Sequence, residues 1–399
     1  MKKIVPTLRY CANQGSFWMS YSAVFAFASV FLLARGFSNH EIGLVIASGS
    51  ALSAILQPCF GAYADSRRSC ALHRLIIIVS LTMIVLAGLL LAVSRNFWII
   101  ALLYGLLVAF LQVNTPLIYS LGMFFINKGV PVNFGIARGF GSLSYAVLST
   151  ILGKLVERYS TDVIMYAVIF VYVLLIIATA TFHFKGVDEL NPQADESMGA
   201  SKSGKMRSGL LKKHPRFAIV LLGSVCLFVS HNIISNYIYQ IVGYHGYSSA
   251  EMGMAISIAA VLEIPMLSSF NLINRRFTSG TLLKVCGIFF ALRSLILLLA
   301  GNLATIYLAQ LAQPFGYGLY VGASVYYVNH TIEEEHRVEG QSYMTLTCAV
   351  GAVLGSLVGG WLLDLVSVPG MLIFGTGVAA MGTIIIMLAG EKGAKTESI

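Results

Sequence analysis

Three ionised side chains, Arg138, Glu263 and Arg293, interrupt long apolar runs in this 399-residue chain. Holding a charge in a low-dielectric interior is expensive, so such residues mark ligand or ion pathways unless they pair with one another. A guanidinium offers a rigid fork of donors for hydroxyls, carboxylates or phosphates, and it cannot neutralise itself by losing its proton. Tyr145 follows Arg138 by seven residues, two helical turns, which puts both on one face.

Two arginines and one carboxylate leave a formal excess of one positive charge in the interior. Either Glu263 bridges to Arg138 or Arg293 until substrate or a proton replaces that bond, or the spare arginine takes an anionic group on the substrate. Proton coupling points to Glu263 and Arg293, because burial and a neighbouring cation act on the carboxylate in opposite directions and conformation sets the balance. A structural ion pair between Glu263 and Arg293 is the competing reading. His231, within SHNIISNYIYQ at 230–240, is a candidate titrating group, although a helical histidine of this kind is more often a satisfied hydrogen-bonding group. Asn13, Gln14, Trp18 and Tyr21 form a polar and aromatic row near the start of the chain, in which Trp18 equally suits a lipid-facing position.

These residues need an apolar frame. Hydrophobic residues make up 57% of the chain and charged residues 11%, with a mean hydropathy of +0.80, so the chain is solvated by lipid. At about 20 residues per crossing, the runs predict an all-α membrane protein with twelve spans near 10–34, 41–64, 71–93, 97–126, 134–153, 162–184, 216–243, 249–274, 281–300, 303–329, 340–363 and 368–390. Long uninterrupted runs exclude a transmembrane barrel. Most Lys and Arg fall in loops on one side, against Arg35, Arg95, Lys154 and Arg158 on the other. Both termini are therefore expected in the cytoplasm, and the net charge of +9 reflects topology rather than nucleic-acid binding. A short basic lead without a small-residue cleavage site reads the first helix as a retained span, and the absence of a lipidation or organelle-address motif points to a bacterial plasma membrane.

Pro58 and Pro265 lie 207 residues apart, and Pro116 and Pro314 lie 198 apart, so one helix plan is used twice. Residues 185–214, polar and rich in Ser, Gly and charge, read as a cytoplasmic linker between six-helix bundles at 1–184 and 215–399. Gly351, Gly355 and Gly359 form a small-residue stripe expected to pack against a neighbouring helix. The six cysteines are scattered without metal or disulfide spacing, and no P-loop or nucleophile motif appears. The expectation is no enzyme and no cofactor.

The segment GAYADSRRSCALHR, with Gly61, Asp65, Arg67 and Arg68 between the second and third spans, resembles the loop signature of the major facilitator superfamily. That resemblance covers the whole chain and implies twelve helices in two pseudo-symmetric bundles, rocking around a midplane site, with the loop helping to lock and release one state. NFGIARGFGSLSY at 133–145 resembles the fifth helix of lactose permease and its oligosaccharide:proton symporter relatives. The resemblance implies that Arg138 binds a sugar hydroxyl and Tyr145 stacks on the ring. AVLEIPML and FFALRSL resemble the eighth and ninth helices, implying that Glu263 receives substrate hydrogen bonds and Arg293 belongs to the proton-coupling group. The chain also departs from that branch: the fourth helix has Gln112, Asn114 and Tyr119 where a glutamate partner is expected, and the tenth has Gln313 and Gly316 in place of a histidine and a proton-carrying glutamate.

The reading is a secondary active transporter of a small polar solute such as a sugar, glycoside or nucleoside-like compound, coupled to protons and working as a monomer in the bilayer. Arg138, Tyr145, Glu263, Gln112, Asn114, Asn236 and Gln313 are expected to line the path. Proton-driven efflux of drugs or metabolites, an organic-anion carrier and a non-transporting membrane sensor are the alternatives.

Overall fold

A computed structural model describes residues 4–65, 69–93, 96–184 and 209–389, and the described residues outside loops are helical. The helices are α1 (residues 4–34), α2 (Asn39–Asp65), α3 (Ser69–Ala92), α4 (Phe97–Asn127), α5 (Phe134–Arg158), α6 (Val163–Thr181), α7 (residues 215–244), α8 (Ser249–Arg276), α9 (Ser279–Leu298), α10 (residues 303–331), α11 (residues 337–366) and α12 (residues 368–389). Ten stretches are long and apolar enough to cross a bilayer when the bent first helix counts as one span. The longest of them breaks at Ser367 (φ 59°) into α11 and α12, and the interrupted α10 completes twelve. The linker expected at 185–214 falls outside the described residues except for its end, the short helix Gly209–Lys213 and His214.

Apolar composition makes these segments span; polar caps decide where they begin. Asn96, Asn133, Thr278 and Asn302 each accept a hydrogen bond from the first turn of the helix that follows, satisfying an orphan backbone donor. α2 and α8 start alike: Gly36-Phe37-Ser38 precedes Glu41, and Gly246-Tyr247-Ser248 precedes Glu251. In both, the glycine has positive φ and the serine amide donates to the glutamate at 2.8 Å, the reciprocal capping box. One entry turn is thus used twice, as one proline plan is. The prolines fall in α2 and α8, and in α4 and α10.

Proline removes a donor from the helix ladder. In α4, Pro116 frees the carbonyl of Gln112, and Gln57 of α2 donates its Nε2 to that oxygen at 3.2 Å. In α10, Pro314 opens a π turn over Pro314–Gly318, and α1 carries another over Ser22–Ala26. Such turns often accompany functional sites in helices.

Contacts divide the chain into two compact units, residues 1–37 with 48–203, and residues 38–47 with 204–399. Within the first, α1 lies close against α5: a Cβ on Gly15 would sit 2.9 Å from Ser144 Oγ. Hydrogen bonds from Asn13 to Thr179 and between Ser22 and Ser149, each 2.8 Å, tie α1 to α6 and α5. Within the second, the glycine stripe packs α11 on α7: Gly355 leaves 2.7 Å to the carbonyl of Val229 and Gly359 leaves 2.7 Å to the Tyr237 ring. The first turn of α2 also belongs here. Asp364 of α11 accepts from the Asn39 side chain at 2.9 Å and from the His40 amide at 2.7 Å. A carboxylate at a helix N-terminus meets both free donors and the positive end of the dipole.

Candidate functional site

In the first unit the polar side chains gather around Trp18 of α1. Gly141 of α5 allows the indole to lie against that helix, a close approach that any side chain there would block. The Arg138 guanidinium stacks over the indole with Cζ 4.0 Å from the ring centroid, and Tyr145 meets the same ring edge-on at 6.5 Å. The face shared by Arg138 and Tyr145 is therefore completed by an aromatic plane from another helix. Arg138 lies in the second turn of α5, and its Nη1 donates to Ser142 Oγ at 2.8 Å. Tyr21 continues the aromatic row 5.3 Å from Trp18. Trp18 thus faces α5 rather than lipid.

Gln112 donates to Ser50 at 2.8 Å, holding α4 to α2. Asn114 is fully buried, and neither amide atom finds a partner among the described residues. Gln14 donates to the Tyr10 hydroxyl at 2.7 Å, which in turn donates to the Ile118 carbonyl at 3.3 Å.

The second unit holds a separate cluster. Arg293 is buried and donates through Nη1 to His231 Nδ1 at 3.2 Å and through Nη2 to Gln310 Oε1 at 3.0 Å. A guanidinium can only donate, so Nδ1 of this imidazole carries no proton and the neutral ring holds its hydrogen on Nε2. That nitrogen lies 3.5 Å from Ser235 Oγ. Tyr317, inside the π turn of α10, stacks on the imidazole at 5.0 Å with the planes 3° apart. Gln313 donates to Glu263 Oε1 at 3.0 Å. Among the described residues, the direct hydrogen-bond partners of Arg293 are His231 and Gln310. Asn236 donates to Ser356 at 2.7 Å and so ties α7 to α11.

Of the expected loop motif, Gly61 lies in the last part of α2 with open space around its Cα. Arg67, Arg68 and the Asp65 side chain lie outside the described residues. Sequence reasoning missed Ser142 and Gln310, which accept from Arg138 and Arg293, and Tyr317, which stacks on His231. No group of three potential metal ligands occurs among the described residues.

The chain resembles known transporters along its length. It is 24% identical over 381 residues to maltose permease of Geobacillus stearothermophilus, covering 94% of this chain and 92% of that one. It is 25% identical over 284 residues to a probable 3-phenylpropionic acid transporter of Escherichia coli (strain K12), covering 68% and 70%. A mutant form of the nucleoside transporter NupG shares its fold, with a TM-score of 0.82 at 14% identity over 97% of this chain and 100% of that one. The family model described as MFS_1 like matches residues 16–373. With twelve helices among the described residues, matching entry turns and prolines in two halves, and that family match, the chain belongs to the MFS_1-like family of the major facilitator superfamily and is a multi-pass secondary transporter, not an enzyme.

Proposed function

We propose that this transporter of small polar solutes carries a hydroxylated ring compound, such as a sugar, glycoside or nucleoside-like molecule, by proton-coupled alternating access. The observation that carries this reading is the Arg138 guanidinium placed over the Trp18 ring with Tyr145 edge-on beside it. A ring solute needs an apolar plane against one face and directional donors at its rim, and these residues supply both. Similarity to a maltose permease and a fold shared with a nucleoside transporter support the same class. For the proton, Glu263 is the proposed carrier, since Gln313 is a neutral donor able to hold either the carboxylate or the carboxylic acid. The setting proposed is a bacterial plasma membrane, with the protein a monomer and both termini cytoplasmic.

Uptake of radiolabelled maltose and uridine into proteoliposomes, with and without an inward proton gradient, tests the reading. Accumulation that follows the gradient and falls at least about tenfold in Arg138→Gln is the expected result, corresponding to about 1.4 kcal/mol. Gradient-driven release in place of uptake would establish export, and saturable binding without flux would make the protein a receptor.

A further inference from the structure

The two interior arginines differ in what their donors are free to do. Arg293 is sealed: its Nη atoms are bonded to His231 and Gln310, and its Nε is buried without a partner. Arg138 is braced and open. One face lies on Trp18, Nη1 is tied to Ser142, and the half-buried side chain keeps Nε and Nη2 reachable by solvent with no partner among the described residues. Those two atoms form the side edge of the fork, which accepts the two oxygens of a carboxylate in parallel bonds.

Charge argues the same way. No carboxylate of a described residue lies within 4 Å of Arg138. Within its unit, Asp162 is engaged by Arg35 at 2.7 Å, and Glu157 stands exposed near the far end of α5. A neutral hydroxyl would leave this charge uncompensated; an anion would match it.

Taking the solute site at Trp18, Arg138 and Tyr145 as proposed above, we infer that the solute carries a carboxylate, received side-on by Nε and Nη2 of Arg138. Ser142 and Trp18 hold the guanidinium in place beforehand, so little rotamer freedom is lost on binding. The substrate class is then a sugar acid or glycosiduronate, with its ring against the aromatic row.

Thermal unfolding of the purified full-length protein with three probes tests this: phenyl glucoside, phenyl glucuronide and 3-phenylpropionate. The first two differ in a hydroxymethyl against a carboxylate, and the third keeps the carboxylate without the sugar. The expected result is at least tenfold tighter binding of the glucuronide than the glucoside, a preference lost in Arg138→Gln. Arg138→Lys retains the charge but not the fork and should lose most of the preference; it also serves if the glutamine variant fails to fold. Equal or tighter binding of the glucoside overturns the carboxylate while leaving the hydroxylated-ring site standing. Binding of 3-phenylpropionate alone keeps the carboxylate and removes the sugar. No binding by any probe removes both.

Discussion

Arg293 donates to His231 Nδ1 across 3.2 Å, so an arginine of α9 fixes the tautomer of an imidazole on α7 that Tyr317 covers from α10. Three helices of the second unit meet at that pair. It makes the histidine an acceptor that supports a buried cation.

Replacing His231 with leucine should therefore destabilise the protein by roughly 1–3 kcal/mol, since a buried charged donor loses its acceptor. His231→Asn keeps an oxygen near the position of Nδ1 and should lose less. Thermal unfolding in detergent separates the two, and equal melting temperatures for both variants and wild type would contradict the assignment.

The carboxylate of Asp364 makes a comparable prediction at the start of α2, where it accepts from Asn39 and His40. Asp364→Ala should destabilise by roughly 0.5–2 kcal/mol, the range for losing a helix cap. Asp364→Asn, which keeps acceptor capacity but not charge, should fall between. If Asp364→Ala melts with wild type, the cap contributes nothing.

A methyl group has no room between α7 and α11. Gly355→Ala would press a Cβ to 2.7 Å from the Val229 carbonyl, and overpacking of this kind destabilises by roughly 1–3 kcal/mol. Gly377→Ala, where a Cβ meets nothing within 4 Å, is the matched control and should melt within about 0.5 kcal/mol of wild type.

Glu333 gives a pH signature outside the spans. Its hydrogen bond from Lys213, together with its own backbone amide and His214, lowers it from 4.5 to about 2. A carboxylate lowered by folding stabilises the native state above its ordinary value, and that contribution disappears as pH falls from 4.5 toward 2. Melting curves across this interval should show a larger loss for wild type than for Glu333→Gln; parallel curves would rule out the pairing.

Arg138 and Trp18 show where sequence reasoning reaches its limit. A seven-residue spacing is enough to place Arg138 and Tyr145 on one face, because both lie on one helix. The indole between them comes from α1, and no periodicity within α5 foretells which ring of α1 will arrive there. Trp18 remained ambiguous in sequence for that reason. Likewise Glu263 and Arg293 stand out by their cost in lipid, whereas His231 and Gln310 become partners of Arg293 only once α7, α9 and α10 are packed. The proline pairs are visible as offsets; the repeated Gly-aromatic-Ser and Glu turn before α2 and α8 is subtler, because its few shared residues become meaningful through their shared hydrogen bonds.

Pro116 leaves the Gln112 carbonyl without its own ladder donor, and Gln57 supplies one from next door. α4 consequently owes part of its main-chain satisfaction to α2. Sliding either past the other by more than a side chain's reach would strand a bare oxygen in hydrocarbon at a penalty of roughly 2–7 kcal/mol, so the two helices are yoked and any swing must take both.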